Sequence, residues 1–274
     1  MARRSPLLNV MCGAVMSSAY NLRRDFGEVE QLQVSRKGPA DFVSIADKKS
    51  EEVIVEELKR ARPDFGFLLE EGGEIIGKDT DSRWIIDPLD GTTNFLHGMP
   101  HFAISVALEK RGEIVAGVVY NPISDELFWA EKGQGAYLND VRLRVSSRNK
   151  MEDAVLATGI PFKGRCDADG FARFSAQLAE FMPNVAGIRR NGVASLDLAW
   201  LAAGRFDGFW EADLQPWDMA AGIVIIQEAG GYVSDLSGGK KMLETGGIIA
   251  ANDGLHAPME RVIKRIDRGL KITS

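Results

Sequence analysis

Residues 84–94 read Trp-Ile-Ile-Asp-Pro-Leu-Asp-Gly-Thr-Thr-Asn, and this stretch is the starting point for the fold. Its apolar beginning predicts a buried strand that ends where Asp87 and Asp90 follow, and Pro88 and Gly91 favour a turn around the two acids. Carboxylates at the end of a buried strand repel one another and resist desolvation, so they require a counter-charge. The stretch therefore predicts a bound divalent cation. An Asp-rich turn without a metal remains the alternative for these two acids taken alone.

The composition is that of an ordinary globular protein. The chain has 274 residues, of which 45% are hydrophobic and 26% charged, enough for one large domain or two fused ones. A formal net charge of −6 argues against a general binder of nucleic acids or membrane surfaces. Two cysteines without metal-like spacing, Cys12 and Cys166, favour a cytoplasmic location. Apolar residues at helical spacing in 7–24 predict a helix, not a signal peptide, and no later apolar run could span a bilayer.

The order of elements predicts an α/β (α+β) fold, with a mixed or antiparallel sheet first and alternating helices and strands from about residue 154. We predict helices over 7–24, 44–61, 169–182, 194–203, 217–229 and 257–268. We predict strands over 65–69, 102–109, 113–120, 126–131, 136–145, 154–160, 207–211, 231–235 and 247–251. Residues 1–274 are expected to form a single domain, with halves of approximately 1–150 and 151–274.

Acids follow buried apolar runs at two further places, Glu70-Glu71 and Asp218. Each has a simple alternative, since Glu70-Glu71 is typical of a solvated loop edge and Asp218 of a helix start. Mg²⁺ prefers oxygen ligands and is commonly held by a few carboxylates together with phosphate oxygens. Two such ions can activate water and stabilise the leaving oxygen of a phosphate ester. The joint occurrence of these acids with Asp87 and Asp90 predicts a magnesium site for phosphate chemistry.

Competing motifs fail on particular residues. Residues 72–78 fit the glycine and lysine spacing of a P-loop, but Asp79 stands where Ser or Thr is required. Leu89 and Gly91 fall at ligand positions of an EF-hand, which excludes that loop. The three histidines have no zinc spacing, and no Gly-x-Ser-x-Gly motif occurs.

Two long segments resemble signatures of a known family. Residues 84–95 closely resemble the first signature of the inositol monophosphatase family, and 217–222 with 228–231 resemble its second. The likeness covers nearly the whole chain, including 38–44 and 248–252.

Within that family the chain is most similar to the bacterial SuhB-type subgroup, on residues 159–163 and 196–199. The resemblance implies a layered αβαβα sandwich of the inositol monophosphatase / fructose-1,6-bisphosphatase type. It also implies two to three Mg²⁺ per subunit, hydrolysis of phosphate monoesters of polyols, inhibition by Li⁺, and a homodimer.

The resemblance implies a metal-ligand set by matching position. Glu70, Asp87 and the Leu89 carbonyl would hold the first ion. Asp87 would bridge to a second ion, which Asp90 and Asp218 complete.

The same resemblance implies catalytic and phosphate contacts. Thr92, with Glu70, would orient the attacking water, and Asp47 would help to place a further, weaker ion. The amides of Gly91 and Thr92 would contact the phosphate, as helix N-termini do.

The substrate side has open alternatives. Glu211 matches an acid that accepts hydrogen bonds from sugar hydroxyls, although an exposed strand end is its plain interpretation. Arg189, in a basic pair with Arg190, would lie at the substrate or subunit boundary, although such pairs are often a solvated or interface patch. Ala194 and Asp218 complete the predicted substrate contacts.

Several functions remain open within and beyond this family. Fructose-1,6-bisphosphate, histidinol phosphate and nucleotide 3′-phosphate are the alternative substrates. A bisphosphate would require a second basic cluster, for which Arg189/Arg190 and Lys163/Arg165 are the candidates, so a monophosphate such as myo-inositol phosphate is favoured. SuhB-type relatives are also associated with transcription complexes and ribosomal RNA maturation, so a transcription partner is the second hypothesis.

Overall fold

The computed structural model describes residues 4–26, 34–36, 42–162 and 166–272. Lys163, Arg165 and the 38–41 part of the family likeness therefore lie outside the described residues. Among the described helices, none is long and apolar enough to cross a membrane.

The strands form one small hairpin and two large sheets. β1 (Val34–Arg36) pairs with β2 (Phe42–Ser44) in the hairpin. The eight-stranded first sheet contains β3 (Phe65–Leu69), β4 (Gly73–Ile75), β5 (Asp79–Asp90), β6 (Ala103–Lys110), β7 (Glu113–Asn121), β8 (Glu126–Glu131), β9 (Gly135–Leu138) and β10 (Val141–Arg142). The five-stranded second sheet contains β11 (Val155–Thr158), β12 (Gly187–Arg189), β13 (Gly208–Glu211), β14 (Tyr232–Ser234) and β15 (Ile248–Ala251).

Strand order differs between the two sheets. The first runs β10-β9-β8-β7-β6-β5-β3-β4 and is antiparallel except where β3 pairs with β5 in parallel. The second runs β12-β11-β13-β15-β14, with β11 parallel to both of its neighbours and β15 antiparallel to both of its own. The predicted order, a mixed or antiparallel sheet first and alternating helices and strands later, is therefore confirmed.

The helices sort into three layers around these sheets. They are α1 (Pro6–Phe26), α2 (Ile45–Ala61), α3 (Thr92–Leu96), α4 (Ala168–Phe181), α5 (Ala194–Ala202), α6 (Pro216–Glu228), α7 (Met242–Thr245) and α8 (Asp253–Ile272). One apolar core joins α1 and α2 to the outer face of the first sheet. A second places α5 and α6 between the sheets, and a third joins the far face of the second sheet to α8 and α4. The layered αβαβα fold is confirmed, and the shared middle layer supports our proposal that residues 1–274 form one domain.

The middle layer is packed so closely that glycine is required at its contacts. A Cβ on Gly117 of β7 would lie 2.8 Å from Ala221 Cα in α6, and one on Gly222 would lie 2.6 Å from Leu198 Cβ in α5. Real Cβ atoms do not approach so closely, and added methyl groups in a packed core force shifts that cost stability. α6 therefore lies almost directly against both the first sheet and α5.

Two predicted elements differ from the structure by more than two residues at a boundary. The strand predicted over 136–145 is a hairpin of β9 and β10, because the turn at Asn139, with a φ of 52°, reverses the chain. The helix predicted from 257 begins at Asp253, because the Asn252 side chain caps it by accepting a hydrogen bond from Leu255 N at 3.1 Å.

Candidate active site

Three neighbouring chain segments deliver the predicted acids to one end of the first sheet. β3 and β5 are parallel, so Glu70, directly after β3, and Asp87 and Asp90, in the last residues of β5, lie at the same end. Glu70 N donates to Ile86 O at 3.3 Å, which ties the two strand ends together. Asp218 comes from the first turn of α6, which the Ser105 hydroxyl of β6 anchors by donating to Trp217 O at 3.2 Å.

These acids line one cavity of about 830 Å³, which we call the acidic cavity. The five predicted metal ligands all line it: Glu70, Asp87, Leu89, Asp90 and Asp218. Gly91 and Thr92, the predicted phosphate contacts, line it as well. The structure therefore brings the candidate ligands and the candidate phosphate site together, while the ligation itself stays a prediction.

The electrostatics of Asp87 show why a cation fits here. Asp87 is only 2% exposed. Burial raises the pKa of its carboxyl group well above the usual range, and the nearby charges of Glu70, Asp90 and Asp218 raise it further. A divalent cation among four oxygen-bearing side chains would offset this repulsion, and carboxylates are the donor set that Mg²⁺ prefers. The residues present therefore fit a magnesium ion.

Three of the carboxylates accept hydrogen bonds from nearby groups of the protein. Asp90 Oδ2 accepts from Ser195 N at 2.8 Å and from Ser195 Oγ at 2.6 Å. Asp218 Oδ2 accepts from Gln215 N at 2.7 Å, and Asp87 Oδ1 accepts from Leu89 N at 2.9 Å. Across the described ranges, no three His, Cys, Asp or Glu side chains already form a metal-binding cluster.

The turn after Asp87 is held by contacts to α2 and Val193 and by a hydrogen bond within the turn. Ser50 Oγ of α2 donates to Pro88 O at 2.8 Å and lies 2.6 Å from Ser18 Oγ of α1. Gly91 has a φ of 94°, and a Cβ there would lie 2.7 Å from Val193 Cγ2. Thr92 Oγ1 donates to Leu89 O at 3.1 Å. Leu89 and Thr92 are therefore held in a fixed relation beside the acids.

Arg190, rather than its neighbour, reaches the acidic cavity. Arg190 lines it, whereas Arg189 is exposed on β12 and donates from Nη1 to Ile188 O at 3.0 Å. A Cβ on Gly192, whose φ is 78°, would lie 2.6 Å from Arg190 Nη1, so the guanidinium lies across this glycine. The subunit-boundary part of the Arg189 prediction stays a prediction.

A polar network holds the segment that carries Arg190. Asn94 Nδ2 donates to His101 O at 2.8 Å and to Asn191 O at 2.9 Å. Asn191 Nδ2 donates to Asp197 Oδ1 at 2.7 Å. Burial raises the pKa of Asp197 to about 7, although the Asn191 hydrogen bond lowers it. We did not anticipate Ser195, Asn191 or Asp197, because each contact joins residues that no local motif connects.

The remaining predicted site residues do not line the acidic cavity. Asp47 is buried in the first turn of α2, and Ala194 is the buried first residue of α5. Glu211 ends β13 and lines an adjoining cavity of about 310 Å³, which we call the side cavity. Burial raises the pKa of Glu211 well above its usual range, and the charges of Asp218, Asp197 and Asp90 raise it further. Glu211 is therefore within electrostatic reach of the acids.

Comparisons with known proteins agree with this site. The model of the inositol monophosphatase family matches residues 3–269. Inositol-1-monophosphatase of Rhizobium meliloti is 59% identical over 262 residues, which are 96% of this chain and 97% of that protein. Nus factor SuhB of Vibrio cholerae is 42% identical over 258 residues, 94% of this chain and 96% of that protein.

The solved structures give the same result. The extragenic suppressor protein SuhB from Bartonella henselae superposes with a TM-score of 0.91 and 56% identity, covering 95% of this chain and 99% of that chain. The family match spans both acid-bearing segments, and the predicted SuhB-type likeness is confirmed. The chain therefore belongs to the inositol monophosphatase family and is an enzyme of that type.

Proposed function

We propose that the protein is a Mg²⁺-dependent phosphomonoesterase that hydrolyses inositol monophosphate to inositol and phosphate. The observation that carries this proposal is the convergence of Glu70, Asp87, Asp90 and Asp218 on one cavity, with Asp87 buried among the other three. The name of the R. meliloti relative, inositol-1-monophosphatase, supports the substrate.

The predicted ligand assignments fit the observed positions. Glu70, Asp87 and the Leu89 carbonyl would hold one ion, and Asp87, Asp90 and Asp218 the second. Asp47 would help to place a third. When bound, such ions activate water and stabilise the leaving oxygen of a phosphate ester.

The residues of the chain orient the reactants. The Thr92 hydroxyl donates its one hydrogen bond to Leu89 O, so its oxygen can accept a hydrogen bond from a water molecule. With Glu70, it would aim that water at phosphorus opposite the ester oxygen. A bond between phosphorus and the water oxygen would form as the ester bond breaks; the water loses one proton and the leaving alkoxide takes up one, which gives the alcohol and inorganic phosphate. Arg190 in the cavity would offset negative charge on the phosphate.

Phosphate release from a substrate panel tests this proposal. We expect turnover of inositol 1-phosphate with Mg²⁺, and weaker turnover of fructose-1,6-bisphosphate, histidinol phosphate and nucleotide 3′-phosphate. Asp90→Asn should lower the rate on the order of 10³-fold, because charge stabilisation supplies most of phosphoryl-transfer catalysis. Asp140→Asn changes an exposed acid of the β9–β10 turn and is the matched control. Near-normal activity of Asp90→Asn would contradict the two-ion assignment.

A second role in transcription is also proposed, because the V. cholerae relative is named a Nus factor. Such a role would rest on the surface of the protein rather than on the acids. Capture of transcription proteins by the Asp90→Asn variant as well as by the unchanged protein would support a binding function separate from catalysis. Sedimentation of the purified protein tests the proposed homodimer.

A further inference from the structure

The end of β5 forms a bulge against β6. The register between the two strands shifts between Asp87 and Asp90, which leaves Pro88 and Leu89 without register partners in β6. A bulge takes backbone groups out of regular pairing, and buried backbone groups then need other hydrogen-bond partners. The partners of this bulge therefore decide how the chain beside Asp87 is oriented.

One peptide unit of the bulge is held at both ends. Its carbonyl, Pro88 O, accepts from Ser50 Oγ of α2 at 2.8 Å, and its amide, Leu89 N, donates to Asp87 Oδ1 at 2.9 Å. A trans peptide unit is planar, so its C=O and N–H groups point in opposite directions and turn together. If the Pro88 carbonyl turned away from Ser50, the hydrogen bond to Asp87 would therefore be lost as well.

Ser50 is in turn held by a second buried hydroxyl group. Ser18 Oγ of α1 lies 2.6 Å from Ser50 Oγ and 3.3 Å from Ser50 O. A serine hydroxyl has one hydrogen to donate, and because that of Ser50 goes to Pro88 O, Ser18 is the donor between the two hydroxyls. Ser18 and Ser50 are 0% and 1% exposed, so water does not compete for these groups. A chain of hydrogen bonds thus runs from α1 through α2 to the peptide unit beside Asp87.

α2 is also held against the chain that carries Glu70. Glu51, which follows Ser50 in α2, accepts from Glu71 N at 3.0 Å through Oε2. Adjacent residues of one helix therefore contact both acid-bearing strand ends, Ser50 beside Asp87 and Glu51 beside Glu70. The position of α2 links the orientation of the bulge to that of Glu70.

We propose that Ser50 is a positioning residue for the metal site. Its hydroxyl group, supported by Ser18, orients the 88–89 peptide unit. Leu89 N then holds the Asp87 carboxylate in the orientation that binds Mg²⁺. This inference rests on the proposed magnesium-dependent function, and it names a residue outside the ligand set that determines the affinity for the ion. Ser50 does not line the acidic cavity, so it acts through Asp87 rather than on the substrate.

Thermal unfolding of Ser50→Ala tests the inference without a measurement of activity. The melting temperature of the metal-free protein is followed as Mg²⁺ is added, since a ligand that binds the folded state raises it. In Ser50→Ala we expect the rise to begin at an Mg²⁺ concentration about tenfold higher, because loss of a residue that orients a metal ligand weakens binding by at least that order.

Ser234→Ala is the matched control. It also removes a buried serine hydroxyl, which lies 3.1 Å from His256 Nε2, and Ser234 does not line the acidic cavity. This variant should lower the melting temperature of the metal-free protein and leave the Mg²⁺ response unchanged. The control therefore separates a loss of stability from a loss of metal affinity.

Steady-state kinetics give an independent readout. The Mg²⁺ concentration for half-maximal release of phosphate from inositol 1-phosphate should rise by the same factor in Ser50→Ala. The kcat at saturating Mg²⁺ and the KM for the substrate should change little, because Ser50 affects the occupancy of the metal site. A fall in kcat at saturating Mg²⁺ without a change in the Mg²⁺ requirement would contradict the proposed role.

Ser18→Ala tests the chain of hydrogen bonds and keeps the contact between Ser50 and Pro88. We expect a smaller rise in the Mg²⁺ requirement, about threefold, since neighbouring hydrogen bonds strengthen one another only in part. Because Ser18 acts through Ser50, the double variant should need no more Mg²⁺ than Ser50→Ala alone, and additive effects would overturn the chain. If Ser50→Ala failed to fold, the comparison of Ser18→Ala with Ser234→Ala would decide the question.

The outcomes separate this inference from the proposed function. A Mg²⁺ response in Ser50→Ala equal to that of the unchanged protein would overturn the inference alone, and so would an equal shift in Ser234→Ala. Absence of both a Mg²⁺ response and phosphate release in the unchanged protein would contradict the magnesium-dependent function itself.

Discussion

Asp87 is a carboxylate that the fold buries beside three other acids, which favours function at the expense of stability. Because burial and these neighbours raise its pKa, the metal-free folded protein retains a proton that the unfolded chain releases. The stability associated with this proton is present at low pH and is lost as pH rises toward the pKa of the folded state. Mg²⁺ should replace the proton as the partner of this carboxylate.

We therefore predict that Asp87→Asn stabilises the metal-free protein while lowering turnover on the order of 10³-fold. In the presence of EDTA its melting temperature should exceed that of the unchanged protein, by about 2–4 °C for each kcal/mol of repulsion removed. The difference should be larger at about pH 8 than at about pH 5. Calorimetry measures both, and a lower melting temperature for the variant at every pH would contradict this account.

Ser195 is the residue that holds Asp90, through both its amide and its hydroxyl. Ser195→Ala removes one of these donors. Mutation of a residue that hydrogen-bonds a metal ligand commonly lowers metal affinity 10–100-fold. We expect the Mg²⁺ concentration for half-maximal activity to rise by about that factor, with kcat largely restored at saturating Mg²⁺. Titration of activity with Mg²⁺ measures this effect, and the exposed Ser147→Ala variant is the control. An unchanged Mg²⁺ requirement would show that the amide alone positions Asp90.

At the scale of elements, the connection between β12 and α5 carries Arg190 and is held in place by hydrogen bonds. Asn191 links it to Asp197 in α5 and to Asn94 in α3. Asp197→Ala would leave the Asn191 amide without its acceptor, so we expect KM for inositol 1-phosphate to rise about tenfold with little change in kcat, since about 1.4 kcal/mol of positioning is lost.

Asp197→Asn is the matched control, because Asn keeps the acceptor oxygen. Burial raises the pKa of Asp197 to about 7, so a neutral side chain is tolerated there near neutral pH. Steady-state kinetics of the two variants should therefore differ. Equal losses would mean that the charge of Asp197 matters rather than its hydrogen bond to Asn191.

The elements that the sequence predicted well have strong local patterns. Strand 65–69 matches β3 in both bounds, and helix 194–203 matches α5 within one residue. The first half of β5, from Asp79 to Arg83, was missed because its residues are polar and its place in the sheet comes from pairing with β6. β12 was missed for a similar reason, since three residues carry little pattern and parallel pairing with β11 defines the strand.

The candidate site divides in the same way. The ligand set around residues 84–94 was predictable, because acids after a buried strand imply a counter-charge and because the family signatures match there. Ser50, Ser195 and Asn191 were not predictable, since each acts across a distance in sequence that only the packed layers bring together. The side cavity likewise forms from the segment after β11, from β13 and from α4, which no single segment reveals.

At the scale of the whole molecule, α5 and α6 pack closely against each other in the layer between the two sheets. Gly222→Ala would place a methyl group against Leu198 and should destabilise the protein by about 1–3 kcal/mol. Leu198→Ala removes Cγ and Cδ1, which would lie 3.2 and 2.6 Å from the added methyl group, but keeps Cβ, so in that background the same substitution should lose only part of its cost. Denaturant unfolding of the four proteins of this cycle measures the coupling. Additive effects would show that α5 and α6 can shift apart without penalty.

Asp218 comes from the middle layer, whereas Glu70, Asp87 and Asp90 come from the first sheet. Catalysis is therefore sensitive to the position of the middle layer relative to the first sheet. A protein or small molecule bound on the far face of the second sheet would change turnover if it moved α6 along β7 by a fraction of an ångström. Packed interfaces favour discrete arrangements. Such an effector would therefore switch the enzyme between two levels of activity rather than change its activity gradually. Remote control of the reaction thus needs no lid and no contact with the substrate.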